Sequence, residues 1–272
     1  MTQLAQLPSR GVIEIAGDDR VAFLQGLVSN DVARATPGHA VWAAYLTPQG
    51  KWLADFFILS DHERLLLDVE RNQAAMLIKG LGRFRLRSKV TLRDVSAALH
   101  VHAAWGGTPD LGAGTIAAPD PRLPAAGWRI LAPEPLPASA TQDAWNAHRL
   151  ALGLPDGSAD LEAEKSLLLE AGFDELNVVS WSKGCYMGQE LTARTKYRGL
   201  LKRRLVPVVL EGVPPPPGTP VTRNGAEVGT LRSTLGQHGL ATLRLDAIAT
   251  GPLACGSAML RADVPEWMRL PT

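Results

Sequence analysis

The sequence predicts an α+β body followed by a small all-β unit, and three observations carry that expectation. One helical stretch leads into a run of strands with no helix between them. The middle of the chain then turns rich in Ala, Pro and Gly, and short glycine-separated strands return after a proline-rich junction.

Val12 to Ile15 (VIEI) reads as a short strand of β-branched residues. GDD follows, with Asp18 placed to cap a helix whose apolar positions Val21, Leu24, Leu27 and Val28 fall at helical spacing. That helix is expected to end near Ser29-Asn30-Asp31. Three apolar runs come next: VWAAYL (Val41 to Leu46), WLADFFIL (Trp52 to Leu59) and LLLDV (Leu65 to Val69). The turn residues Thr47-Pro48-Gln49-Gly50 and Asp61-His62-Glu63 separate them, which predicts an antiparallel meander. Arg71 to Gly80 has helical composition, and RFRLRSKVTL (Arg83 to Leu92) alternates basic with apolar residues, the pattern of a strand with one wet face.

From Gly106 to Ala140 only WRIL (Trp128 to Leu131) resembles a strand, so surface loop carrying little chemistry is expected there. Helices are expected near Thr141 to Leu152 and again after Gly188. VPPPPG (Val213 to Gly218) interrupts the strand-like runs RLVPVVL, EVGTLRS and LATLRLD, which together predict a small β-barrel. The expected organisation is therefore a body over 1–203 and a barrel over 204–272.

Composition narrows the function classes. The 272 residues are 20% charged with a formal net charge of +1, which gives no bulk signature of polyanion binding. No run of about 18 uncharged apolar residues occurs, and MTQLAQLPSR lacks a basic segment followed by a long apolar one. Two cysteines, Cys185 and Cys255, are too few for a disulfide framework or a self-contained four-ligand cluster site. A reducing cytosol is the expected compartment.

Phosphate-loop, dinucleotide-fingerprint, nucleophile-elbow and zinc-helix motifs are absent. His100 and His102 would share one face of a strand, but without a nearby thiol or carboxylate in sequence they read as structural. Three features remain. KGCYMGQE (Lys183 to Glu190) sets a thiol between glycines, near a lysine and a helix start that could favour thiolate; a small buried cysteine in a turn is the alternative. Arg194, Lys196, Arg198, Lys202, Arg203 and Arg204 form a basic run that is either a solvated face or a grip for an anionic ligand tail or acidic partner. Asp31 either caps a helix end or faces a cavity where it takes a proton or a ring nitrogen. Cys255, in LACGSAML, reads as barrel filler.

Taken together, KGCYMGQELTART followed by KYRGLLKRRL resembles the signature of the YgfZ-type proteins, folate-binding relatives of the glycine-cleavage T-protein (aminomethyltransferase) that support iron-sulfur enzymes. FLQGLVSNDV (Phe23 to Val32), YLTPQGKWLADFFI (Tyr45 to Ile58) and FRLRSKV (Phe84 to Val90) resemble the amino-terminal half of that family. HRLALGLPD (His148 to Asp156) resembles its segment ahead of the signature, so the likeness covers nearly the whole chain and is weakest from Gly106 to Ala140.

The resemblance implies a T-protein-like α+β body around a central folate-binding opening, with a carboxy-terminal barrel and tetrahydrofolate, or a one-carbon derivative of it, as cofactor. It places Asp31 opposite the folate and matches Lys183 and Cys185 to the signature lysine and cysteine, with Tyr186, Gly188, Gln189 and Glu190 completing the motif. Glu170, in SLLLEAGFDEL, falls where relatives carry a glutamate after a proline-containing step; here Leu168-Leu169 replace it. A pterin needs a flat apolar slot and its glutamate tail needs cations. Trp42 or Trp181 could line the slot, and Arg83, Arg85 or the basic run with Arg198 could hold the tail. The implied function is support of iron-sulfur cluster assembly or repair in selected enzymes, including tRNA-methylthiolating ones, with iron-sulfur client or assembly proteins as partners and neither membrane nor nucleic acid bound directly. A one-carbon transferase like the T-protein is the alternative, and a folate sensor without turnover is a third.

Overall fold

The computed structural model describes residues 1–199 and 201–271. In chain order it contains β1 (Gln3–Gln6), β2 (Arg10–Ala16), α1 (Arg20–Gln25), β3 (Val41–Leu46), β4 (Trp52–Ser60), β5 (Arg64–Glu70), α2 (Ala74–Gly82), β6 (Thr91–Asp94), β7 (His100–Trp105), β8 (Ile116–Pro119) and β9 (Trp128–Ala132). After these come α3 (Gln142–Ala151), α4 (Gly157–Asp160), α5 (Gln189–Tyr197), β10 (Arg203–Glu211), β11 (Pro220–Arg223), β12 (Ala226–Leu235), β13 (His238–Arg244), α6 (Leu245–Ile248), β14 (Leu253–Cys255) and β15 (Ala258–Ala262).

Two antiparallel sheets build the body. One has the order β3-β4-β5-β2-β6, the other β1-β7-β9-β8. The alternation of side chains along β3 explains why the first sheet is buried on both faces: Trp42, Ala44 and Leu46 enter the core shared with the second sheet, while Val41, Ala43 and Tyr45 enter a core closed by α1 and α2. β4 divides in the same way, with Phe57 and Leu59 on one side and Phe56 and Ile58 on the other. The carboxy-terminal strands close into a barrel in the order β10-β13-β12-β11-β14-β15, so it has no free edge. Its interior is filled by Val206, Val208, Leu231, Leu243, Leu260 and the buried Cys255. No helix among the described residues is long and apolar enough to cross a membrane.

The meander, the helix after Thr141 and the helix after Gly188 form as the sequence predicts; the Thr141 side chain accepts from the Ala144 N–H at 3.1 Å. Four expectations are corrected. α1 stops at Gln25, well short of Asp31, and Asp19 rather than Asp18 stands at its N-cap. The Asp19 carboxylate caps nothing there, because it accepts the Lys89 N–H at 2.7 Å instead. Residues 83–90 form a loop, not a strand: turn hydrogen bonds continue from α2, and Leu86 adopts φ 41°, which breaks an extended backbone. The stretch from Gly106 to Ala140 holds two strands of the second sheet, β8 and β9, rather than one strand in a surface loop.

His102 is fully buried, bonding the His100 carbonyl through Nδ1 at 3.2 Å and accepting the Leu136 N–H at Nε2 at 3.2 Å. It ties β7 to the following proline-rich segment.

Candidate functional site

The two motifs that the sequence singles out, Phe23 to Val32 and Lys183 to Glu190, lie side by side, joined also through the residues just ahead of the second. Ser29 is the hinge of the arrangement: its hydroxyl donates to Val178 O at 2.7 Å and accepts from Ala44 N at 2.9 Å, while its carbonyl accepts from Ser180 N at 3.1 Å. Asn30 adds two further links, donating from Nδ2 to Trp42 O at 2.8 Å and to Asn177 O at 2.7 Å. Met187 N–H closes the contact on Gly26 O at 3.1 Å.

Lys183 is the strongest of these links. Its ammonium is buried and donates to Gln25 O at 2.6 Å, Val28 O at 2.7 Å and Asn30 O at 2.7 Å, which engages all three of its protons. Burial pushes this amine down to about 8, against the opposing pull of the Asp31 carboxylate. The Tyr186 ring lies 5.3 Å from the same ammonium. Tyr186 is itself buried, and burial raises its phenol to about 12; its hydroxyl has Thr192 as polar neighbour without closing a hydrogen bond of good geometry. Between these two anchored side chains Cys185 is exposed.

Gly188 makes the turn from the loop into α5. It has φ +82°, and a Cβ there would meet Thr47 O at 2.6 Å and Leu46 Cβ at 2.9 Å. The signature loop is thus pressed onto the β3–β4 turn. Gln189 opens α5, its N–H donating to Tyr186 O at 3.3 Å. Glu190 is exposed and pairs with Arg194 at 3.4 Å. Arg198 is exposed at the far end of the helix.

Asp31 caps a short 3-10 turn over Val32–Arg34. Its Oδ1 accepts from Ala33 N at 3.2 Å and from Gln25 Nε2 at 2.8 Å. A recess of 210 Å³ beside it is lined by Asn30, Arg34, His39 and Asn177. Glu170 sits in a 3-10 turn, Leu169–Ala171, where burial pushes its carboxyl up against Arg203 and Lys51. Trp181 is half-buried, with Nε1 on Asp174 Oδ1 at 2.7 Å and Lys196 Nζ 4.3 Å from its ring. A cavity of 680 Å³ opens along the same helix, lined among others by Leu169, Glu175, Lys196, Arg204, Trp267 and Arg269. Arg83 and Arg85 lie on the exposed 83–90 loop, Arg83 within electrostatic reach of the Tyr45 phenol, whose strand bridges to Val28.

A second polar assembly was not legible in the sequence. Between the two sheets, Arg10 binds Asp68 at 2.6 Å, Arg122 binds Asp120 at 2.7 Å, and the Arg129 guanidinium lies 3.9 Å from the Phe57 ring centre. Arg122 stacks over Trp42 at 5.1 Å, and the Trp42 and Trp52 indoles both donate to Asp55 at 3.0 Å. Trp42, expected to line a ligand slot, is therefore fully buried in this layer. Asp120 and Arg122 come from the stretch expected to be surface loop and Arg129 from the one strand expected within it, and no pattern in the sequence marks them as a polar cluster.

Residues 202–270 match the family described as the CAF17 C-terminal beta-barrel domain. The chain is 33% identical over 301 residues to the human "Iron-sulfur cluster assembly factor IBA57, mitochondrial", covering 96% of this chain and 84% of that protein. It is 39% identical over 239 residues to the IBA57 homologue of Mycosarcoma maydis, covering 79% of this chain; it spans 59% of that longer relative. The fold matches the glycine cleavage system aminomethyltransferase T from Bartonella henselae with a TM-score of 0.77, at 13% identity, over 97% of this chain and 85% of that one. The T-protein-like fold expected from the sequence is thereby shown. The cytosolic expectation is corrected, since the human and fungal relatives are both named as mitochondrial proteins. On the extent and identity of the human match, the chain belongs to the IBA57 family.

Proposed function

We propose that this chain supports the assembly or repair of iron-sulfur clusters in selected enzymes, tRNA-methylthiolating ones among them, through Cys185 and with tetrahydrofolate, or a one-carbon derivative of it, as ligand. The observation that carries the reading is the contrast within one loop. Lys183 and Tyr186 are buried and fixed, whereas Cys185 between them is exposed. A loop held this rigidly presents its thiol to a partner or ligand at little further ordering cost. The names of the relatives, iron-sulfur cluster assembly factors, support the cluster-assembly part of the reading.

Asp31 supports the folate part. Only its Oδ1 is engaged among the described residues, which leaves Oδ2 free to accept from a pterin or N5/N10 hydrogen. Glu170, Trp181, Tyr186, Gln189 and Glu190 complete the proposed surround on the signature side, with Arg198, Arg83 and Arg85 as cations for the tail.

Two measurements test the reading separately. Deleting the gene lowers the activity of several iron-sulfur enzymes, and a Cys185→Ala copy does not restore it; full restoration removes the thiol from the mechanism. Titration with tetrahydrofolate, followed by tryptophan fluorescence, gives saturable binding to the wild type that weakens about tenfold or more in Asp31→Ala. A wild type that does not bind removes the folate.

A further inference from the structure

The loop that replaces the expected strand carries exposed apolar and basic side chains together. Leu86 is 89% exposed and Phe84 is 42% exposed. Arg83, Arg85, Arg87 and Lys89 alternate with them, all exposed, and none of these four side chains makes a salt bridge or hydrogen bond among the described residues. Leu86 and Phe84 thus set an exposed apolar tip among the four cations.

The loop is nonetheless built, not loose. Phe84 N–H bonds Leu81 O, Arg85 N–H bonds Gly82 O, and Ser88 N–H bonds Arg85 O. The far end is tied by Lys89 N–H to the Asp19 carboxylate at 2.7 Å and by the buried Val90. Gly17, at φ +113°, lies so close to the Lys89 carbonyl that a Cβ would stand 2.1 Å from it. Leu86 at the tip holds φ 41°, a left-handed conformation that costs free energy for a branched side chain and persists only where the surroundings impose it. Two open recesses flank this tip. One, of 400 Å³, is lined by Gly17, Arg85, Leu86, Arg87 and Lys89; the other, of 710 Å³, by Asp19, Phe84, Leu86, Arg87 and Ser88.

We propose that the 83–89 loop docks a protein partner that presents carboxylates around one or two apolar side chains. Unpaired cations select an acidic surface and speed the encounter with it. Three of the four are arginines, whose planar forks take carboxylates two bonds at a time. The recesses on either side of Leu86 accept projecting side chains from a protein, whereas a lipid surface offers none to fill them. The site rests chiefly on Leu86, Arg87 and Lys89, so it stands independently of the folate reading of Arg83 and Arg85.

The test uses the full chain with three probes: a fluorescein-labelled peptide EELEEFEE, its counterpart KKLKKFKK, and vesicles of phosphatidylcholine containing phosphatidylserine. The acidic peptide binds the wild type and the basic one does not, and binding weakens as salt rises. Arg87→Glu with Lys89→Glu raises the Kd about tenfold or more. Leu86→Asp raises it about fivefold. Because these side chains are exposed and unpaired, thermal midpoints stay at the wild-type value, which separates lost docking from lost folding. Absent binding of the acidic peptide, equal binding by wild type and variants, or binding of vesicles without binding of the peptide each overturns the proposal.

Discussion

The Lys183 ammonium donates to the carbonyl of Asn30 at 2.7 Å, so the signature loop is fastened to the backbone immediately before Asp31. The two motifs are separated by about 150 residues of chain and meet through a side chain on one side and bare peptide groups on the other.

Replacing this lysine tests that fastening. Lys183→Met keeps the aliphatic stem but leaves the carbonyls of Gln25, Val28 and Asn30 without their donor, at a cost of about 2 kcal/mol or more. The pH dependence has a definite sign. With the folded amine lowered to about 8, the unfolded chain binds more protons between there and the ordinary lysine range, so this group makes stability rise with pH across that window. Urea unfolding on the alkaline side shows the rise in the wild type and not in Lys183→Met; an identical slope in both contradicts the assignment.

The two glycines around Cys185 do different work. Gly188 has φ +82° and no space for a Cβ, while Gly184 has nothing within 4 Å of the position a Cβ would take. Gly188→Ala therefore destabilises the fold by about 2 kcal/mol or more, and Gly184→Ala changes it by about 0.5 kcal/mol or less. Differential scanning calorimetry of the two variants checks the contrast, which equal midpoints contradict.

Much of the body was legible because the nearly continuous apolar runs Val41 to Leu46 and Trp52 to Leu59 reflect burial on both faces, and that burial is real. Alternation misled at Arg83 to Val90, where basic and apolar residues follow a helix end and the Leu86 backbone turns left-handed. Period-two chemistry does not by itself demand an extended chain. In the site, Cys185 and Asp31 stood out by resemblance, but the clamp did not, since the partners of Lys183 are backbone carbonyls that carry no residue identity. Arg129 was invisible for a related reason, since only the folded sheets bring Asp68 near it, whereas Asp120 and Arg122 pair with each other two residues apart and nothing local marks that pair as buried.

The buried arginines at the sheet interface are not equivalent. Arg10 binds Asp68 through both its side chain and its carbonyl, at 2.6 and 2.7 Å. Arg129 is 3.6 Å from the same carboxylate, and its Nε and Nη1 lack hydrogen-bond partners. Arg10→Met strands a buried carboxylate and costs about 3 to 5 kcal/mol. Arg129→Met keeps the contact with Phe57 and relieves unpaired donors, so its cost is about 1 kcal/mol or less. Guanidinium unfolding curves rank the pair, and equal losses contradict the ranking.

Asp55 couples this layer to pH in the direction opposite to Lys183. Its two oxygens accept the Trp42 and Trp52 indole N–H groups at 3.0 Å each, yet burial pushes its carboxyl up to about 6, with Arg10 pulling it down and Asp156 adding to the rise. Between the ordinary aspartate range and about 6 the folded chain holds a proton here that the unfolded chain has lost. The stability this group contributes is therefore full in acid and declines as pH rises through that window, by on the order of 3 kcal/mol. Asp55→Asn keeps the shape and one acceptor but turns an NH2 toward an indole N–H, costing about 1 to 2 kcal/mol near neutral pH. It also removes the titration, so the difference between wild type and variant narrows as pH rises from about 4 to about 7. Denaturant midpoints for both proteins across that range decide the matter: a gap that stays constant places the titrating carboxyl elsewhere, and one that widens reverses the assigned sign.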